Sequence, residues 1–257
     1  MQIALNDWIR FKDRLARVCK TAGDKMTNYI VANGGYESIP AEDVITYATA
    51  LAQTYGEASG ALAAEMYDAI AELSNAIVPP AEIAELPTYG ETAKAVQGAA
   101  KTSMDPEYIG SAVYRLVKQV SADTTINNAK RDGAEIAWIP HGDTCAFCIT
   151  LASRGWEPAS NAMLNLDGKA AHIHGNCDCT YGVRFNSDTQ VRGYDPNKYL
   201  RMYQNADPSG NSKSKINALR REFYAKNKEE INAQKRSAYE KRKEREESSA
   251  EEMDVST

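Results

Sequence analysis

The sequence predicts an α+β chain with a mostly helical N-terminal region, a small α+β domain carrying a Cys/His cluster, and a charged helical C-terminal tail. Three observations carry this. Apolar residues recur at steps of three and four through the first half, the spacing of one helix face. After Gly133 that period gives way to short strand-like runs between turn residues. Four of the five cysteines and all three histidines fall between positions 141 and 179. The expected parts cover 1–131, 132–206 and 207–257.

Composition bounds the class. The chain has 257 residues, 43% of them hydrophobic and 25% charged, enough to bury one good core or two smaller ones. A collagen, a mucin-like stalk and a fully disordered protein are excluded. A cysteine-dense secreted scaffold is excluded too, because most of the chain has no cysteine. The net charge of −5, from 30 basic and 35 acidic residues, gives no global nucleic-acid signature. The first eight residues show no basic region followed by an apolar run. No stretch approaches the roughly 18 apolar residues of a spanning helix. The expectation is a chain made and folded in the cytoplasm, with no membrane partner.

The first helix runs from about Asn6, with Trp8, Phe11, Leu15, Val18, Ala22, Met26, Tyr29 and Ile30 on one face. Asn6 or Asp7 caps its start and Gly34-Gly35 ends it. Cys19 lies on this helix as an ordinary small core residue. A second helix begins near Ser38-Ile39-Pro40, with the stripe Val44, Tyr47, Leu51, Tyr55, Leu62, Met66, Ile70 and Leu73. Gly56 and Gly60 are expected to bend or split it, and Pro79-Pro80 to stop it. An alanine-rich helical segment spans about 91–103. Asp105-Pro106-Glu107 opens a further helix, with Ile109, Val113, Leu116, Val120 and Ile126 on its face and Gly133 beyond its end. Such stripes are expected to pack against one another in a bundle.

Glu135 to Ile139 reads as a strand ended by Pro140-His141-Gly142-Asp143. Cys145 and Cys148 follow, on one helical face or on a tight knuckle. Asp167-Gly168 is a hairpin-type turn, and His172, His174, Cys177 and Cys179 lead into a strand, Thr180 to Phe185. Residues two apart on a strand share a side, so the histidines form one pair and the cysteines another. Three chemistries fit. Zinc takes four thiolate or imidazole donors in a tetrahedron, here Cys145 and Cys148 with two of His174, Cys177 and Cys179, or with His172 as an alternative. Disulfides between the two cysteine pairs form only in an oxidising place. Cys145 or Cys148 with a histidine makes a redox or nucleophilic centre. Nothing else in the chain supports catalysis, since it has no Gly-rich phosphate loop and no acidic metal constellation. The expectation is a non-enzymatic protein.

The run from Trp138 to Phe185 resembles the head-morphogenesis domain of the phage Mu F-like (MuF-like) minor capsid proteins of tailed phages. Three pieces carry the likeness: Gly142-Asp143-x-Cys145-x-x-Cys148, then Ala152-Ser153-Arg154-Gly155, then His174-x-Asn176-Cys177-x-Cys179. Asp178 stands where the family more often has a basic residue. The resemblance implies a minor virion protein, made in the host cytoplasm with the prohead and placed inside the capsid near the portal. It implies the portal and major capsid proteins as partners, with an oligomer inside the capsid and contact with packaged double-stranded DNA open to it.

The tail carries its own charge pattern. Residues 211–246 hold twelve Lys or Arg against six Glu. Lys213, Lys215, Arg220, Arg221, Lys235, Arg236, Lys241, Arg242 and Lys243 are the candidate phosphate contacts. The glutamates interleave with them in sequence, which also fits a plain solvated helix. Residues 248–257 are expected to be disordered. Two other functions stay open, a zinc-dependent nucleic-acid-binding accessory protein and a Cys/His enzyme.

Overall fold

The computed structural model describes residues 2–3, 5–141, 144–161, 173, 179–191, 193–229, 232–233, 236–237, 239–240 and 243. It is mostly helical with a small antiparallel sheet, the α+β class expected. The elements in order are β1 (Gln2–Ile3), α1 (Leu5–Ala32), α2 (Ala41–Leu73), α3 (Tyr89–Thr102), α4 (Pro106–Asp132), β2 (Glu135–Ile139), α5 (Ala146–Ala152), β3 (Glu157–Pro158), β4 (Thr180–Arg184), β5 (Gln190–Val191), α6 (Pro196–Ala206) and α7 (Ser212–Lys226).

The chain forms two compact units, one of residues 1–144 with 154–197 and one of residues 145–153 with 198–257. The expected boundaries at 131/132 and 206/207 mark changes of sequence pattern. Compactness follows other lines, because the strands pack on the long helices.

In the first unit α1, α2 and α4 form the bundle. The expected α1 face is largely its buried face: Trp8, Phe11, Leu15, Cys19, Ala22, Met26 and Ile30 are all buried. Helix begins at Leu5, so Asn6 and Asp7 lie inside the first turn rather than at the cap. Gly34 and Gly35 take positive φ just beyond its end. Where α1 crosses α4, a Cβ on Gly110 would lie 2.7 Å from the carbonyl oxygen of Gly23, so only glycine permits this approach.

The expectation for Gly56 and Gly60 is overturned. α2 runs unbroken through both, and both are buried. A Cβ on Gly56 would meet Val120 at 3.1 Å, and one on Gly60 would meet Ile83 at 2.5 Å. The glycines serve close packing, and the cost of glycine in a helix is offset by what packs there. Pro40 occupies the cap position of α2. Leu73, expected on the stripe, is exposed, and Tyr67 is buried in its place.

Asp105 caps α4 by accepting from the Glu107 N–H at 3.0 Å, and Gly133 ends it in the left-handed conformation. From Val120 to Asn128 nearly every α4 residue is buried, including Ser121, Asp123, Thr124, Thr125 and Asn128. This stretch of α4 is therefore covered on nearly all sides, not on one face as its period predicts, while Glu107, Tyr108 and Arg115 nearer its start are exposed. The sheet order is β3-β2-β4, all antiparallel, with Glu135 opposite Arg184 and Trp138 opposite Tyr181. β2 and β4 are buried at consecutive positions, so both of their faces are covered. β1 and β5 form a separate parallel pair.

The second unit is built from α5, α6 and α7. Ala146, Ile149 and Leu219 are its buried cluster, with Tyr199, Tyr203 and Ala206 packed against it. Among the described residues no helix is long and apolar enough to cross a membrane.

Candidate functional site

The Cys/His region begins where β2 ends. His141 is half-buried, and the Lys12 ammonium donates to its Nδ1 at 2.7 Å. Cys145 is the cap residue of α5, and Cys148 lies one turn on, buried. Cys145 has extended backbone and Cys148 is helical, so the pair straddles the start of α5. Cys179, also buried, sits directly before β4. Cys145 and Cys148 belong to the second unit, Cys179 and His141 to the first. His172, His174 and Cys177 lie outside the described residues, as does the Asp167-Gly168 turn. Among the described residues no three His, Cys, Asp or Glu side chains form a metal-holding group.

The sheet beside this region carries aromatic and ionic pairs. Trp138 and Tyr181 meet edge-to-face across β2 and β4, with ring centroids 4.7 Å apart. Arg184 pairs with Glu135 and lies over the Trp156 ring at 4.9 Å. These contacts fix the register that delivers Cys179 to the head of β4.

The tail residues separate into two groups. Lys215 turns back on the end of α6, donating to the Asp207 carbonyl at 2.7 Å. That is a cation on the negative end of a helix. Lys213, Arg220, Arg221, Arg236 and Lys243 are exposed on helical backbone, while Lys235, Lys241 and Arg242 lie outside the described residues. Spacings of seven and four put Lys213, Arg220 and Tyr224 on one face of α7. Glu222 stands two residues from both Arg220 and Tyr224, so it points the other way. Lys215 and Lys226, seven before and four after Glu222, lie on its side, so charge stays mixed around α7 and only the line of Lys213, Arg220 and Tyr224 has no acid on it.

A further feature has no counterpart in the sequence reading. α2 and α4 run parallel: Ser59 donates to the Val117 carbonyl at 2.6 Å, and Tyr67 donates to Asp132 at 2.7 Å further along both. Parallel helices need a return connection, and the extended strap 76–88, followed by α3, supplies it. It runs back along the groove between them. Residues 77–87 make no backbone–backbone hydrogen bond, and helix side chains satisfy the strap instead. The Ala81 N–H donates to Asp68 at 2.8 Å, and the Ala84 N–H to Thr124 at 3.0 Å. Asn128 accepts from the Glu82 N–H at 2.9 Å and donates to the Glu82 carbonyl at 2.8 Å. Gln53 donates to the Pro87 carbonyl at 3.1 Å. Arg131 donates to the carbonyls of Pro79 and Pro80, at 3.0 and 3.2 Å. The same guanidinium grips Asp132 at 2.7 and 2.8 Å. That bond holds the Asp132 carboxyl below its ordinary value, and burial together with Asp132 pushes the Tyr67 hydroxyl up.

A family model described as VG15 protein matches residues 2–206, well over half of the chain. The chain belongs to the VG15 protein family. This is a family of phage gene products. No curated protein and no solved structure matches the chain. The VG15 span takes in the bundle, the strap, the sheet and the cysteine positions 145, 148, 177 and 179, and it closes at the end of α6. α7 lies beyond the VG15 match.

Proposed function

We propose that this VG15 protein is a minor head protein of a tailed phage. It acts in capsid assembly at the portal vertex, with the portal and major capsid proteins as partners, and it resides in the capsid interior. Its role is architectural rather than enzymatic. The family match over residues 2–206 supports a phage protein, and the head role rests on the motifs that fall inside that span. The Gly142-to-Cys148 and His174-to-Cys179 motifs supply the head-morphogenesis likeness.

The test is made in infected cells. Proheads purified by sedimentation should contain the chain, and its deletion should lower particle yield or infectivity. Proheads and virions that both lack the protein would sink the reading.

Within this reading the Cys/His run holds a structural zinc. The support is the donor chemistry: Cys145 and Cys148 offer two thiols one turn apart at the start of α5, the separation a tetrahedral ion accepts. Cys177, Cys179 and His174, or His172, are the further candidate donors by sequence spacing. Protein purified under reducing conditions should carry one equivalent of zinc, lost in Cys148→Ser. Metal-free protein whose mass in virions is lower by two or four protons would favour disulfides instead.

A second reading, a nucleic-acid-binding accessory role, is favoured by one observation, the basic and tyrosine-bearing face of α7.

A further inference from the structure

The strap is held as a bound peptide is held. Its grips come from α2 and α4 side chains and fall on strap backbone atoms, so they read an extended chain rather than particular strap side chains. Asn128 is the central grip, since it takes both the N–H and the carbonyl of one residue, Glu82. Two shallow apolar seats set the register. Ile83 rests where Gly60 lacks a Cβ, and Leu86 and Pro87 rest against Gly56. The fit is one of length as well. Residues 81 to 87 of extended chain cover about 20 Å, and helix positions 53 to 68 cover about 22 Å.

The occupant is only lightly buried. Ile83 keeps 43% of its surface exposed and Ile77 is fully exposed. Its N-terminal hinge, Asn75, has a left-handed backbone at φ 52°. Segments with few buried apolar contacts open at a lower free energy than the helices they cover.

We propose that the α2–α4 groove is a binding site for an extended peptide, occupied in cis by the chain's own strap. A partner segment of the same chemistry exchanges with it: a proline-bearing stretch with two aliphatic anchors three residues apart. The strap itself defines that chemistry through Ile83, Leu86 and Pro87. This deepens the assembly reading by supplying a docking mode, and rests on that reading only for the partner being another head protein.

The experiment uses the full chain and a fluorescent peptide carrying residues 78–88. A tethered strap competes at an effective concentration on the order of millimolar, so the unchanged protein binds the peptide weakly. In the double variant Ile83→Asp/Leu86→Asp the cis strap is loosened and the groove is intact. It should bind the peptide at least tenfold more tightly, and adding Asn128→Ala should remove that gain. A folded double variant that binds no better than the unchanged chain overturns the proposal. Hydrogen exchange on the unchanged protein gives a readout free of any folding defect. The amides of Ala81, Glu82 and Ala84 should exchange well before those of α2 and α4, and exchange only together with the helices would also overturn it. Absence of the chain from proheads leaves the peptide result standing. A chain that enters proheads but fails both tests loses the groove alone.

Discussion

Asp132 joins three parts of the fold through one carboxylate. It accepts from the buried Tyr67 hydroxyl of α2, lies on Arg131 of α4, and through that guanidinium steadies the strap carbonyls of Pro79 and Pro80. Its folded pKa lies below the ordinary carboxylate value, held there first by the Arg131 bonds. A depressed carboxylate adds stability above its unfolded value, and that stability is lost as pH falls through the folded one. The chain should therefore lose stability on acidification below about pH 4, the ordinary carboxylate range. Asp132→Asn keeps the shape but removes the charge. It should cost roughly 1–3 kcal/mol at neutral pH, the usual size of a broken buried charged hydrogen bond. It should also flatten the acid limb of the stability curve. Urea denaturation of both proteins from pH 7 to pH 3 checks this, and parallel curves would show that Asp132 is not the titrating group. None of this was legible beforehand, because Tyr67 and Asp132 are 65 residues apart and each is unremarkable in its own segment.

Elements differ in how plainly their sequence declares them. α1 shows its buried face because that helix is covered on one side, and a period survives wherever burial is one-sided. The second half of α4 is covered all round, and its buried Ser121, Thr124, Thr125 and Asn128 break any apolar period. Two of these polar residues, Thr124 and Asn128, grip the strap, which itself has no period because side chains satisfy its backbone. In α2 the small residues Ala48, Ala52, Gly56 and Gly60 recur every fourth position, and that row was the available sign of a close helix contact rather than a break. α6 declares no core stripe, because none of its residues is fully buried. The Cys/His cluster was legible by residue type alone, since such donors seldom crowd together by chance. On α7 the helical rotation lines up Lys213, Arg220 and Tyr224, while Lys215 and Lys226 stay beside Glu222. That line sets an expectation. The full chain should bind duplex DNA at low salt without sequence preference, and binding should fade steeply as salt rises. Arg220→Ala/Arg221→Ala should weaken it, with a log-affinity against log-salt slope shallower by about two. Glu222→Ala, on the other side, should not weaken it. Fluorescence titrations from 50 to 200 mM salt decide, and an unchanged slope in the arginine variant would remove α7 from any DNA contact.

For the whole molecule, the two compact units are unequal in what holds them. The first buries several long apolar stripes, including Trp8, Met26, Ile30, Ile70, Ile109 and Ile126. The second depends on a cluster of Ala146, Ile149 and Leu219 supported by partly exposed tyrosines. A core of that size leaves little margin over the conformational entropy of ordering three helices. The VG15 match ends at 206, so α7, which provides Leu219, is the part of this core that lies beyond the family span. Leu219→Ala removes one of the two large buried side chains of the cluster, the other being Ile149. A fully buried leucine lost to alanine costs roughly 2–5 kcal/mol, comparable to all the stability such a unit can hold. The variant should therefore lose α6 and α7 to a protease within minutes while the bundle of α1, α2 and α4 persists. Mass spectrometry of a trypsin time course identifies the cuts, with sites in 198–228 expected first. In the unchanged protein the same sites should be cut more slowly, though still ahead of any in the bundle, because local opening follows local burial. If Leu219→Ala instead made both units digest together, the second unit would not unfold on its own, and the chain would have to be treated as one cooperative body.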